Sequence, residues 1–136
     1  MATTTVNSNI SRTYKDLDLF FNIHPVKKDV NKHIGEYAVI NSVKNLISTN
    51  HYERPFQPDI GSNIQRLLFE PLDTVTSASI EREIESVIGS YEPRARIKTT
   101  TLIPDYDNNG YKVELEFFIV NRTEPISINF FLERVR

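Results

Sequence analysis

The sequence predicts an α+β fold: a single two-layer domain in which an N-terminal strand and amphipathic helices pack on a C-terminal antiparallel three-stranded meander. Two patterns carry this prediction. In the middle of the chain, apolar side chains recur every three or four residues, which is the period of a helix with one buried face. From Ile97 onward they alternate with polar side chains, which is the period of a strand. Because each helix must bury its apolar stripe, we expect the helices to cover one face of the meander.

The composition bounds the kind of protein. The chain has 136 residues, of which 39% are hydrophobic and 25% are charged, so one soluble domain is expected rather than a disordered chain or a membrane protein. A formal net charge of -2 supplies no positive field, so neither nucleic acid nor a membrane is expected as a partner. The absence of cysteine removes disulfides, thiolate metal sites and a cysteine nucleophile.

The N-terminal region divides into an arm and a strand. Residues 1–15 are rich in Thr, Asn and Ser and lack the apolar run of a signal peptide, so a flexible arm is predicted, with the domain spanning 16–136. Apolar and polar residues alternate over 16–23, which predicts a first strand. The side chains expected on its buried face are Leu17, Leu19, Phe21 and Ile23.

Three helices follow. Apolar spacing predicts the first at 36–48, and Ser62 is expected to cap a short second helix that Pro71 ends. The third is expected to end at Gly89. Its buried side chains are predicted to be Ile80, Ile84, Val87 and Ile88. Pro55 and Pro58 make the stretch between the first two helices an ordered loop without regular structure.

Three stretches with strand period form the meander. The side chains predicted to face the helices are Ile97, Thr99, Thr101 and Ile103, then Tyr111, Val113, Leu115, Phe117 and Ile119, then Ile126, Ile128, Phe130 and Leu132. Pairing apolar with apolar places Ile119 opposite Ile126 and Phe117 opposite Ile128, because a slip of one residue would turn a whole face outward.

The segment Asp105-Tyr106-Asp107-Asn108-Asn109-Gly110, followed by Glu116, satisfies the pattern of a calcium-binding EF-hand loop. An EF-hand needs a helix on each side, whereas both flanks here have strand period. Along an extended strand, at ~3.3 Å per residue, Glu116 would lie roughly 20 Å from the turn. Asp, Asn and Gly tolerate the left-handed angles of hairpin turns, so a tight β-turn is favoured and no metal or other cofactor is predicted.

Signals for enzymes are weak. The three histidines lack a compact zinc spacing, and neither a serine-hydrolase elbow nor a phosphate-binding glycine loop occurs. A glycosidase needs two carboxylates, and Glu53 with Asp59 could supply them. Among 18 acidic residues, however, some such pair is inevitable.

The most unusual local feature is Glu92-Pro93-Arg94, directly after the third helix. Proline restricts both neighbours, so the acid and the base are held near one another. One interpretation is a helix stop with a surface ion pair, which contributes little. The other is a docking point at which the planar fork of Arg94 meets carboxylates or carbonyls of a partner. The residue chemistry alone favours the interpretation as a helix stop with a surface ion pair.

Five segments, taken in order, carry a family resemblance: 43–49, 53–61, 67–71, Glu92-Pro93-Arg94 and 121–125. Their order resembles the sheath-initiator baseplate wedge family of contractile-tailed phages, which is also represented in type VI secretion systems. The resemblance implies a non-enzymatic protein of the virion tail baseplate, assembled in the host cytoplasm. It also implies that Glu92, Pro93 and Arg94 dock on the wedge core. One departure is Tyr52, which stands where the secretion branch has glycine and points to the phage branch.

The family resemblance also implies further partners: the tail sheath subunit and, as a further candidate, the tail tube or hub. Templating of the first sheath ring by strand addition would need a free sheet edge. The strand side chains proposed to contact the sheath are Phe118, Val120, Ile128 and Phe131; of these, Phe118, Val120 and Phe131 lie with Leu102 on the nominally polar face. Two alternatives stay open: a peptidoglycan-cleaving muramidase, since some members have carried a lysozyme label, and an anti-adaptor-like protein with a single partner.

Overall fold

The computed structural model describes residues 14–18 and 21–134. They fall into two compact units, Met1–Ala38 and Val39–Arg136. The predicted arm at 1–15 lies outside the described residues apart from Tyr14 and Lys15, and Leu19 also lies outside them. No described helix is long and apolar enough to cross a bilayer.

The first unit contains a small antiparallel sheet of strands β1 (Lys15–Leu17) and β2 (Lys32–Ile34). The predicted strand at 16–23 is therefore wrong beyond Leu17. The amide of Phe21 bonds the carbonyl of Asp18 at 3.1 Å, which turns the chain, and only the isolated bridge between Ile23 and Val30 resumes pairing.

The predicted burial in this segment is also inverted. Asp18 is buried, whereas the side chains of Leu17, Phe21 and Ile23 are exposed. The physical reason is the carboxylate, because it accepts a hydrogen bond from Asn22 at 3.0 Å and lies 3.3 Å from the ring nitrogen of His33. A buried carboxylate needs such partners, and this local network overrides the alternating pattern.

Three helices occur where the spacing predicts them: α1 (Glu36–Ser48), α2 (Ile64–Leu67) and α3 (Thr74–Tyr91). The cap of α3 is Asp73, whose side chain accepts the amide of Thr76 at 2.7 Å. The predicted end at Gly89 is wrong, because a glycine costs a helix only ~1 kcal/mol and α3 continues to Tyr91. The predicted cap at Ser62 is also wrong: this serine is buried, and its hydroxyl donates to the Ile47 carbonyl at 3.0 Å.

The meander is confirmed. Strands β3 (Ala95–Asp105), β4 (Gly110–Ile119) and β5 (Pro125–Glu133) form one antiparallel sheet in the order β3-β4-β5. Helix α3 packs beside β3. The predicted inner face of β4 is buried in full: Tyr111, Val113, Leu115, Phe117 and Ile119.

The predicted register of β4 and β5 is wrong by two residues, since Phe117 pairs with Ile126 and Leu115 with Ile128. The ladder between these strands ends at the pair Phe118–Pro125, and the amide of Arg122 donates to the carbonyl of Ile119 at 2.9 Å, so the turn begins earlier than predicted. A shift of two residues preserves which side chains face inward, and the predicted faces of both strands therefore survive.

A bulge between Ile97 and Thr99 changes the face of β3. Beyond it Leu102 is buried and Ile103 is 56% exposed, so the predicted inner face is wrong from Thr99 onward. An extra residue in one strand reverses the alternation of all that follow, and neither glycine nor proline marks this bulge in the sequence.

Candidate docking site

The triplet Glu92-Pro93-Arg94 forms the corner between α3 and β3. Glu92 leaves the helix at φ -123° and ψ 79°, and its amide still bonds the Ile88 carbonyl at 2.9 Å. Proline cannot continue a helix, and the carbonyl of Glu92 accepts the amide of Ala95 at 3.1 Å as β3 begins. The main chain of the triplet is thus bonded on both sides.

The two charged side chains of the triplet meet in a bidentate ion pair. Arg94 Nε lies 2.6 Å from Glu92 Oε1, and Arg94 Nη2 lies 2.8 Å from Oε2. The hydroxyl of Ser42, on helix α1, also donates to Oε2. The Glu92 side chain is only 3% exposed and that of Arg94 is 22% exposed. The interpretation as a surface ion pair is therefore wrong, because the carboxylate is buried.

Two opposing effects set the pKa of Glu92. Burial favours the neutral acid and would raise the pKa, but the hydrogen bonds from Arg94 and Ser42 and the charge of Arg94 outweigh it. The pKa therefore lies below its ordinary value, and Glu92 is an anion at neutral pH. It fixes the guanidinium of Arg94, whose side chain is 22% exposed, in position.

The side chains predicted to face the sheath do not form one cluster. Phe118 is partly exposed near one end of the outer face of the sheet, opposite Arg96 and Pro125. Val120 follows β4 and is 39% exposed. Phe131 is 42% exposed and pairs with Lys112, toward the other end.

Two of the side chains considered for the sheath contact are buried: Leu102, which is predicted on the outer face, and Ile128, which lies on the inner face as its strand period predicts. Ile128 is 8% exposed and Leu102 is 7% exposed, so neither presents an outer surface. Sequence reasoning missed Ile103, which the bulge turns outward opposite Lys112, on the same part of the sheet as Phe131. Only detection of the bulge would have revealed it.

The acid-rich segment is a tight hairpin turn, as predicted. Asp105 accepts the amide of Asn108 at 3.2 Å and its side-chain nitrogen at 2.9 Å, and Lys112 Nζ lies 2.6 Å from the same carboxylate. The bonds from Lys112 and Asn108 lower the pKa of Asp105 from 3.8 to about 2. Asn109 supplies the left-handed angle at φ 52°.

The other residues considered for a metal site or a hydrolase site form local contacts. Glu116, the last residue of the calcium-loop pattern, pairs with Lys98 at 2.8 Å. Glu53 accepts the amide of Asn50 at 2.8 Å, which closes a turn in the loop after α1. Across residues 14–18 and 21–134, the structure contains no group of three or more side chains placed to hold a metal ion.

Sequence comparisons identify relatives for most of the chain. A family model described as Baseplate wedge protein gp25 matches residues 35–122. A curated relative, baseplate wedge protein gp25 of Enterobacteria phage T4, is 33% identical over 119 residues, which is 88% of this chain and 89% of the relative. The matched range contains the triplet and ends before β5.

Solved structures share the fold. A chain of the anti-feeding prophage baseplate has a TM-score of 0.72 at 23% identity, covering 82% of this chain and 90% of that one. A candidate tail lysozyme from Geobacter sulfurreducens has a TM-score of 0.69 at 20% identity, covering 74% and 92%. A chain of the postcontracted pyocin R2 baseplate has a TM-score of 0.55 at 15% identity, covering 88% and 99%. These likenesses confirm the predicted α+β class.

Proposed function

The chain belongs to the baseplate wedge protein gp25 family, and from that premise we propose that it docks on the wedge core through Glu92-Pro93-Arg94 and templates the first sheath ring by strand addition. The chain is a structural component of a contractile-tail baseplate.

The observation that carries the docking role is the buried carboxylate beneath a partly exposed arginine. Glu92 and the main chain of the triplet hold Arg94 in one orientation before any partner arrives. Less side-chain entropy is then lost on binding, which favours affinity. A guanidinium held in this way can make directed, charge-assisted bonds to carboxylates or carbonyls of the wedge core.

Docking is tested by titrating the purified wedge core with the full chain carrying Arg94→Ala. We expect the free energy of binding to weaken by roughly 2–5 kcal/mol, because an acceptor on the partner loses the guanidinium that it bonds. If Arg94 formed only a solvent-exposed ion pair with the partner, the free energy of binding would change by less than ~1 kcal/mol. Arg94→Lys should also impair binding, since one ammonium cannot replace a two-pronged guanidinium. Wild-type affinity in Arg94→Ala would refute the docking role.

The control for this titration is Ser42→Ala. Both substitutions remove a hydrogen bond to Glu92, but Ser42→Ala leaves the Arg94 guanidinium and its ion pair in place. We expect Ser42→Ala to lower stability while retaining near wild-type affinity at a temperature where all variants are folded. Melting curves of the free variants establish that temperature. Equal losses of affinity in both variants would mean that the triplet acts only through folding.

Strand addition is proposed at the open edge of β5. Within the described chain β5 pairs with β4 alone, and it does so in one continuous register from Pro125 to Glu133. The opposite edge strand, β3, contains the bulge and Pro104, two features that disfavour pairing with a further strand. A regular free edge supplies main-chain hydrogen bonds to an incoming strand.

The edge is tested with two prolines at neighbouring positions, Ser127→Pro and Ile128→Pro. Successive amides in a strand point to opposite sides, so one proline removes a bond to β4 and the other removes a donor from the open edge. Ile128→Pro also removes a buried side chain, so folding of each variant is checked first. We expect the variant whose proline lies on the open side to fold and join the baseplate but to abolish sheath polymerisation. Normal sheath on baseplates containing that folded variant would contradict strand addition.

We infer that the role is structural rather than enzymatic, because the matched family and the T4 relative are described as baseplate wedge proteins. The muramidase alternative depends on Glu53 and Asp59, and Glu53 is engaged in a main-chain turn. A peptidoglycan turbidity assay with the purified full chain, beside a known muramidase, tests this inference. Clearing of the suspension that Glu53→Gln abolishes would overturn it.

A further inference from the structure

The segment between α1 and α2, residues 50–61, is an ordered loop that we name the proline loop. The amide of Tyr52 bonds the carbonyl of Pro58 at 2.8 Å, which closes the loop across its width. The carboxylate of Glu53 accepts the amide of Asn50 at 2.8 Å. The main chain of the loop is therefore held in one conformation.

Two contacts fix the proline loop: one closes its two ends on each other, and the other attaches it to α3. A Cβ atom on Gly61 would lie 2.5 Å from the carbonyl carbon of Asn50, so the two ends of the loop touch at a position that admits only glycine. The hydroxyl of Tyr91 donates to the carbonyl of Asp59 at 2.7 Å. Tyr91 directly precedes Glu92, so this bond attaches the proline loop to the end of α3 from which the triplet follows.

The loop presents side chains that contribute little to its own fold. Phe56 is 96% exposed and Tyr52 is 82% exposed. Tyr52 also adopts φ 67°, an angle that favours glycine and is uncommon for a bulky residue. Arg54 is exposed and forms no ion pair within the part of the chain that the structure describes. A rigid loop thus carries two aromatic rings and an unpaired cation into solvent.

We propose that Tyr52, Arg54 and Phe56 of the proline loop form a second docking surface for the wedge-core protein that the triplet binds. The partner surface has an apolar pocket for the Phe56 ring, bordered by a carboxylate that pairs with Arg54. Preorganised aromatic and arginine side chains dominate the energetics of protein interfaces. The partner assignment rests on the proposed docking of the triplet and follows from the bond between Tyr91 and Asp59.

The test compares three full-length variants in titrations against purified wedge core. We expect Phe56→Ala to raise Kd at least about tenfold, because an anchor residue is lost. Tyr52→Gly removes a ring while relieving the left-handed strain, so it should weaken binding and leave the melting temperature unchanged or raised. The matched control is Tyr106→Ala, which deletes a 69% exposed ring in the turn at the far end of β3 and should leave Kd unchanged.

Each outcome separates this inference from the docking role of the triplet. Weakened binding in Phe56→Ala, with wild-type melting, supports the inference. Wild-type affinity in Phe56→Ala together with lost affinity in Arg94→Ala overturns the inference and leaves the triplet's role intact. Weakened binding in Phe56→Ala with wild-type affinity in Arg94→Ala supports the loop surface and refutes the triplet. A wedge core that does not bind the unsubstituted chain, or a Tyr106→Ala loss as large as that of Phe56→Ala, overturns the inference.

Discussion

Glu92 and Asp105 are both buried carboxylates with lowered pKa values, yet their bonding partners come from different parts of the molecule. Asp105 is bonded within its own hairpin, by Asn108 and Lys112. Glu92 is bonded by Arg94 and also by Ser42, which lies on another helix fifty positions earlier in the sequence. A carboxylate that serves only its own turn closes a hairpin. A carboxylate that bonds both a residue of another helix and a partly exposed arginine can hold that arginine in one orientation for a partner.

The largest expected effect comes from deleting the cation of each pair. Arg94→Ala leaves a buried carboxylate without its ion pair, so we expect the free energy of unfolding to fall by about 3 kcal/mol. Lys112→Ala should cost much less, because the Lys112 side chain is 65% exposed and water can replace it. Denaturant unfolding at neutral pH measures both. Equal losses would show that the two carboxylates are not in different environments.

An intermediate effect on the free energy of unfolding is expected at acidic pH. Both carboxylates have folded-state pKa values below their unfolded values, so each contributes stability that is full above the unfolded pKa and is lost as the pH falls through the folded pKa. For Asp105 the window runs from about pH 4 down to about 2. For Glu92 it begins near its ordinary pKa of 4.5 and extends below it.

The amide variants assign this acid sensitivity to its residues. Asp105→Asn should flatten the decline of stability between about pH 4 and 2, and Glu92→Gln should flatten the part that begins near pH 4.5, because an amide does not titrate. Unfolding followed by circular dichroism at a series of pH values measures the slopes. Slopes identical to wild type in both variants would contradict the lowered pKa values.

The smallest expected effect is that of calcium on the melting temperature. A ligand raises the melting temperature only if it binds the native state, and the carboxylate of Asp105 is already bonded within its turn. Thermal melts with and without millimolar calcium should therefore coincide. A calcium-dependent rise that Asp107→Ala abolishes would show that the turn is a metal site and would remove the contrast with Glu92.

Local patterns predicted the helices and the meander well. The spacing that located α3 also identified its buried side chains Ile80, Ile84, Val87 and Ile88, and the alternation in β4 identified every inward side chain. These predictions succeed because amphipathic period is a property of the segment itself. The two-residue error in the β4–β5 register preserved the faces of both strands for the same reason.

The errors arise where side-chain contacts or backbone irregularities override the local pattern. The burial of Glu92 depends on Ser42, which no local pattern connects to it. The turn after Asp18 depends on Asn22 and His33, and the face of β3 depends on an unmarked bulge. The triplet Glu92-Pro93-Arg94 could be singled out by family resemblance. Its burial, and the bond that attaches the proline loop to the end of α3, required three-dimensional contacts.

The most direct test of the account is a cryo-electron microscopy map of the assembled tail that resolves this chain and its neighbours. The account predicts that Arg94 contacts the wedge core, with the triplet covered, and that the free edge of β5 continues into a strand of the first sheath ring. A map in which the triplet faces solvent, while the wedge core covers another surface of the chain, would contradict it.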